Sequence, residues 1–497
     1  MMNNLKLVVF QLVITISYCF SASHEHRVPR LSLLRGVNIQ KKSETKPTTI
    51  SKGFTTYLYD QTLDHFNYNP QSYTTFKQRY DLNFKHWGGS RKNAPIFAFL
   101  GAEAPLGRHP RVGYMTENAP RFRALQVYIE HRFYGESNPL GSMKKSLENT
   151  TIRGYFNSAQ ALADYAEILI YLKDKLSAHN SPIIVVGASY GGMLAAWFRL
   201  KYPHVVHGAL ASSSPILYFD DITSDDAYFE AVSKDFWEVS ESCYRTIQKS
   251  WLEIDKIASK PHGLAFLSKK FKTCKQLRDS EELKYYLSSM YAGAAQYDAP
   301  PTYPVTQVCG GINGAPNGTD ILGRIISGID AYSDKKCHDT DDTLSDESDM
   351  GWNWQTCTEL VIPIAYGDHT MFPPSNFSLS EWSKDCRRSF GVEPRPHWIT
   401  TYYGGQDIKL VLKKFASNII FTNGLRDPYS TGGVLQNISD SLVAVVTTNG
   451  SHCLDILSSQ PDDPEWLVTQ RKTVFHILEG WIKEYYATLN ATHKVAL

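Results

Sequence analysis

Long apolar runs are missing beyond the first 23 residues. No later stretch approaches the roughly 18 apolar residues needed to cross a bilayer, which argues against stable membrane insertion of the mature chain. Charge of one sign is missing as well. With 51 Lys and Arg against 50 Asp and Glu, the formal net charge is +1. That balance excludes the basic footprint of a nucleic-acid partner or an anionic membrane surface. No Cys-x-x-Cys pair occurs, so a structural zinc site has no ligand framework, and neither a metal nor a cofactor is expected. No internal repeat is apparent, which removes solenoids and propellers.

What remains is a chain of ordinary globular composition, 42% hydrophobic and 20% charged. Its 497 residues exceed one simple core, so two domains or one domain with a large insertion are expected. The first 23 residues read as a cleaved leader: Lys6, then the apolar run Leu7 to Phe20, then Ser21, Ala22 and Ser23. Residues 24–53 are basic, polar and poor in aromatics, as in a linker or removable pro-segment, and order is expected from Phe54. Cysteine usage agrees with export. Cys19 falls in the leader, and six of the other seven crowd into residues 243–386, as a local disulfide framework would. Sequons at Asn149, Asn317, Asn376, Asn437, Asn449 and Asn490 are glycan candidates on surface loops. A secretory route to a vacuole or lysosome, or to the outside of the cell, follows from these features.

From 54 to 216 short apolar runs alternate with helical patterns. Pro95–Leu100, Leu125–Ile129, Ile183–Val186 and His207–Ala211 read as strands. Asn157–Leu176 and Gly192–Lys201 read as helices. Apolar strands without alternation, separated by helices, indicate a parallel sheet covered on both faces. Residues 217–395 hold nearly all the cysteines, helical stretches such as Ala227–Glu238, and an acidic run from Asp339 to Asp349. They read as a mostly helical, disulfide-containing cap inserted into the first unit. The acidic run reads as a solvated loop rather than a calcium site. The α/β pattern resumes over 396–497, with strands Asn418–Phe421 and Leu442–Val446 and a terminal helix Glu465–Ala487.

Gly187-Ala188-Ser189-Tyr190-Gly191 fits Gly-x-Ser-x-Gly. Composition alone would supply that string in roughly one chain in seven of this length. A buried strand before it and a helix after it are the context of a nucleophile elbow, which makes Ser189 the candidate nucleophile and the fold an α/β-hydrolase. A serine hydroxyl needs a histidine base, and the base needs an orienting carboxylate. In this fold their chain order is Ser, acid, His. Asp427 follows one late strand and His452 the next, 25 residues on, where the C-terminal strand ends carry ligands. The oxyanion donors are expected from the Tyr190 amide and from the loop Gly101-Ala102-Glu103. Asp64-His65 and Glu130-His131-Arg132 imitate acid–base pairs, but structural hydrogen bonding suits them better. Asp455 reads as a local loop ligand rather than a second orienting carboxylate.

Longer strings carry a resemblance. They are Gln61-Thr62-Leu63-Asp64-His65-Phe66, Phe76-Lys77-Gln78-Arg79-Tyr80 and Glu130-His131-Arg132-Phe133-Tyr134-Gly135. Asn157 to Asp164, Ser189 to Tyr202 and Pro394-Arg395-Pro396 continue it. Across about Tyr57 to Tyr486 the chain resembles the family of prolyl carboxypeptidase and dipeptidyl-peptidase II, serine exopeptidases that cut after proline. The resemblance implies the triad Ser189, Asp427 and His452, a helical cap, and an apolar proline pocket with Met193, Met371 and Tyr429 among its walls. It also implies the pairs Cys243–Cys309, Cys274–Cys337 and Cys357–Cys386, with Cys453 free. Three positions depart from the family: Ala188 before the serine, Tyr429 where Trp is usual, and Cys453 where a second His is common. The expected reaction is hydrolysis of a peptide substrate after proline near a chain end, as a Pro-X carboxypeptidase. A dipeptidyl aminopeptidase, an esterase or acyltransferase on the same fold, and a non-catalytic binding protein stand as alternatives. A homodimer is left open.

Overall fold

Ile183–Ile184–Val185–Val186 is β-branched throughout and all four side chains are buried, so this segment favours an extended chain covered on both faces. It anchors a sheet of eight strands: β1 (Phe54–Thr62), β2 (Thr75–Asn83), β3 (Ile96–Leu100), β4 (Leu125–Ile129), β5 (Ile183–Ala188), β6 (Gly208–Ser212), β7 (Ile419–Gly424) and β8 (Leu442–Thr447). The computed structural model describes residues 28–31, 53–68, 73–107, 112–340, 346–404 and 406–495. The expected leader lies outside the described residues, as do 24–27 and 32–52 of the expected linker.

The strand order is β1-β2-β4-β3-β5-β6-β7-β8. β1 pairs antiparallel with β2, and β2 with β4; every later pairing is parallel. Side-chain alternation splits the core into two layers. Phe97, Ile184, Val186, Leu210 and Ile420 point to one face, against Met115 of the helix Gly113–Phe122 and Val474 and Leu478 of the helix Glu465–Val495. Ile96, Ala98, Ile183, Val185, Ala209 and Ala211 point to the other, against Leu169 of the helix Ser158–Lys175 and Leu194 and Phe198 of the helix Tyr190–Lys201. Each such burial contributes roughly 1.5–3 kcal/mol for a large aliphatic side chain. The Asn157 side chain caps the helix Ser158–Lys175 by accepting from the Gln160 amide at 3.0 Å. This is an α/β-hydrolase fold.

Between β6 and β7 the chain makes a long, helical excursion that begins with Ala227–Val239 and closes with Ile408–Phe415. It holds three disulfides, Cys243–Cys309, Cys274–Cys337 and Cys357–Cys386, while Cys453 is free and buried. Among the described residues no helix is long and apolar enough to cross a membrane, and no His, Cys, Asp and Glu group has the makings of a metal site. All six sequon asparagines lie at exposed positions.

Candidate active site

Ser189 sits between β5 and the helix Tyr190–Lys201 with φ 61° and ψ −125°, a backbone region that costs a non-glycine residue energy. The surroundings enforce it. A Cβ on Gly187 would stand 1.9 Å from the Gly191 carbonyl oxygen, so strand and helix meet this closely only through glycine. The Ser189 amide donates to the Ser212 carbonyl of β6 at 2.8 Å, which fixes the turn to the sheet.

The two late loops converge on this serine. His452 Nε2 lies 2.8 Å from Ser189 Oγ, and His452 Nδ1 donates to Asp427 Oδ2 at 2.6 Å. Asp427 and His452 side chains are fully buried. Asp427 Oδ1 accepts the Tyr429 amide at 3.0 Å, which orients the carboxylate. The acid and base loops are locked together, since a Cβ on Gly424 would meet the Gly450 backbone at 2.2 Å and the Arg426 amide donates to the Gly450 carbonyl. Burial works most strongly against a charged His452, but Asp427 and the adjacent Cys453 together outweigh it and hold the imidazole well above its ordinary pKa.

The loop after β3 lies beside them. The Gly101 amide donates to the Ile129 carbonyl at 2.8 Å, a sheet bond that withdraws it from the expected oxyanion donors. The amides of Ala102, Glu103 and Tyr190 remain. The Glu103 side chain is 1% exposed and neither carboxylate oxygen has a hydrogen-bond partner; burial pushes its carboxyl up, opposed by the charges of Arg30 and His452.

A fragment far upstream reaches the same cleft. The Leu31 carbonyl accepts from Ser189 Oγ and from His452 Nε2, the latter at 3.0 Å. Sequence reasoning missed this fragment, and the only signal for it was Val-Pro-Arg-Leu inside a polar stretch. It also missed Gln296 and Tyr297 of the helical excursion: the Gln296 carbonyl accepts the His452 amide at 3.0 Å, and the Tyr297 ring meets His452 edge-on at 5.9 Å.

Residues 61–474 match the serine carboxypeptidase S28 family. The chain belongs to the serine carboxypeptidase S28 family. It is similar to the lysosomal Pro-X carboxypeptidase of Homo sapiens, 34% identical over 486 residues covering 94% of this chain and 95% of that one. The same protein of Bos taurus is 36% identical over 470 residues, covering 90% and 91%. The thymus-specific serine protease of Homo sapiens is 30% identical over 460 residues, covering 85% and 86%. The S28 chain is accordingly a serine-type exopeptidase, a hydrolase.

The motifs that imitate acid–base pairs are frame elements in this S28 peptidase. Arg132, fully buried, grips Asp164 through Nε at 2.7 Å and Nη2 at 2.5 Å, and also donates to the carbonyls of Thr62, Leu63 and Tyr155. His65 Nε2 joins Asp164 at 2.7 Å. Burial holds His131 neutral, down to about 4, so Nδ1–H donates to the Arg132 carbonyl and Nε2 accepts from Tyr190 Oη at 3.2 Å. Asp455 accepts from Ser212 Oγ and Thr422 Oγ1, tying β6 to β7 without reaching His452. Met193, Met371 and Tyr429 are all buried. Tyr429 packs against the rings of Tyr218 and Tyr228, and the Met371 carbonyl accepts the Trp251 indole N–H at 2.7 Å.

Proposed function

We propose that this chain is a Pro-X carboxypeptidase that removes the residue following a penultimate proline through an acyl-enzyme on Ser189. The observation that carries the reading is the relay Ser189–His452–Asp427 inside an S28 chain. His452 takes the Ser189 proton as Oγ attacks the proline carbonyl, and later returns it to the leaving amine. Asp427 holds the imidazole in the tautomer with Nε2 free to accept, and offsets its positive charge. Tyr190 with Ala102 or Glu103 supplies the amides for the oxyanion. Met193, Met371 and Tyr429 form an apolar pocket suited to a pyrrolidine ring, which has no N–H to satisfy. Residues 217–395 act as the cap that limits the cleft to chain ends. The lysosomal names of the relatives, the three disulfides and the leader-like first residues support a secretory route ending in a lysosome or vacuole, or outside the cell. Glycans on the six exposed sequons fit that route.

A second reading, a dipeptidyl aminopeptidase, draws on Glu103. A buried carboxylate without hydrogen-bond partners beside the serine suits a substrate's terminal amine. One assay separates the two. A peptide with proline second from each end is incubated with the protein and the products are weighed by mass spectrometry. Loss of the C-terminal residue is expected; release of an N-terminal dipeptide moves the reading to the aminopeptidase. Ser189→Ala abolishes either cut, and full activity in that variant would overturn both.

A further inference from the structure

Val28–Leu31 lies in the cleft as a ligand would. Four successive carbonyls each meet a donor of the site: Val28 O the Trp352 indole N–H at 3.2 Å, Pro29 O the Tyr429 hydroxyl at 2.5 Å, Arg30 O the Gln296 amide at 3.1 Å, and Leu31 O the Ser189 and His452 side chains. Leu31 is fully buried and Val28 nearly so. The Arg30 side chain is 11% exposed. Its Nη1 meets Asp349 at 3.1 Å and Asp346 at 3.6 Å, and its Nη2 donates to the Glu103 backbone carbonyl at 3.0 Å. The Glu103 carboxylate faces this guanidinium electrostatically without a hydrogen bond to any other residue. A buried carboxylate in that condition is costly unless a cation stands near it.

The contacts at Leu31 are those of a blocked site rather than a reacting one. A carbonyl oxygen only accepts, so Ser189 O–H and His452 Nε2–H both donate to it. Asp427 takes the Nδ1 proton. The Nε2 contact with Leu31 is one that a protonated nitrogen makes, and in that state His452 has no lone pair with which to receive a proton from Ser189. The nucleophile also faces the carbonyl oxygen, where attack needs the carbon.

We propose that Val28–Leu31 is an inhibitor of the cleft carried by the chain itself, anchored by Arg30 in a subsite of Glu103 and Asp349 that accepts a basic side chain of a peptide ligand. This rests on the function proposed above. Belonging to the same chain as the cleft keeps the occupant at high effective concentration, and a cut between it and β1 leaves a short peptide free to diffuse away.

The test compares the full chain with Arg30→Glu and Leu31→Asp, two independent ways of expelling the segment. A fluorophosphonate should label Ser189 at least tenfold faster in both variants. A fluorescein-tagged Val-Pro-Arg-Leu amide, followed by anisotropy, should bind both variants at least tenfold more tightly than the parent. The same peptide with norleucine for arginine should bind at least tenfold more weakly. Equal labelling and equal peptide binding across the three chains would overturn the proposal, and equal affinity of the two peptides would overturn the subsite. If no chain is labelled but the peptide binds the variants and not the parent, the hydrolase reading falls and the occupancy of the cleft stands.

Discussion

Replacing Asp427 by Asn tests the relay with almost no change of shape. The carboxylate makes two contacts, Oδ1 with the Tyr429 amide at 3.0 Å and Oδ2 with His452 Nδ1 at 2.6 Å. An asparagine keeps the first by placing its oxygen there, which turns its NH2 toward Nδ1. Nδ1 must then accept, and the imidazole proton moves to Nε2, aimed at the serine it should deprotonate. Loss of the correct tautomer costs a triad hydrolase about 10⁴ in kcat, or roughly 5–6 kcal/mol of barrier at 1.36 kcal/mol per decade. KM stays near that of the parent because Asp427 does not touch substrate. The pH profile should move too. Burial lowers the His452 pKa, and Asp427 is the largest of the groups that raise it, so removing its charge lets the pKa fall. The acid limb of fluorophosphonate labelling then shifts to lower pH in Asp427→Asn. Initial rates on a Pro-X peptide and labelling rates from pH 4 to 8 read both effects. A loss under tenfold with an unmoved acid limb would refute the relay as described.

Glu359, buried and pushed up to about 7, holds its proton more tightly folded than unfolded. Its stabilisation is present below about pH 4.5 and is lost as pH rises through 7, so urea midpoints should fall between pH 5 and 8 and fall less in Glu359→Gln. Asp235, at about 8, acts in the same direction. Asp164→Asn leaves the Arg132 guanidinium buried without its carboxylate and should destabilise by about 3–5 kcal/mol; a urea titration showing less than about 1 kcal/mol would contradict the pairing. Cys357→Ser with Cys386→Ser opens a loop with sequence separation 29, which lowers stability by about 3–4 kcal/mol in the chain-entropy model, checked by denaturation of the non-reduced proteins.

The parallel half of the sheet was legible because its strands are short apolar runs between helical periods: Leu125–Ile129 is β4 residue for residue, and the helix expected at Glu465 starts there and runs on to Val495. The β1–β2 hairpin was not. Its strands are mixed in polarity, with buried Phe76 and Gln78 alternating with exposed or half-exposed neighbours before a run of buried residues, polar Asp81 and Asn83 among them, and Gln78 is buried because it bonds Gln61 and the Glu130 carbonyl. A polar residue satisfied inside the fold carries no pattern that a single chain reveals. At the site, Ser189, Asp427 and His452 followed from strand-end logic. Gly101 did not keep its expected role, because pairing of β3 with β4 continues one residue past the strand and takes its amide. Val28–Leu31 escaped because its partners are six separate segments brought together only by folding.

The Gly424–Gly450 crossing has a mechanical consequence. Asp427 and His452 hang from one tight backbone junction and so travel as a unit. Ser189 belongs to the other side of β6, held by the hydrogen bond its amide donates to the Ser212 carbonyl. The junction therefore sets the 2.6 Å acid–base contact, while the gap between base and serine depends on the register of β6 against β7. That gap is braced by Asp455, which staples Ser212 to Thr422 from beneath. Loosening that brace would widen the gap to the serine while leaving the acid–base contact in place, which makes β6 the strand that sets their alignment.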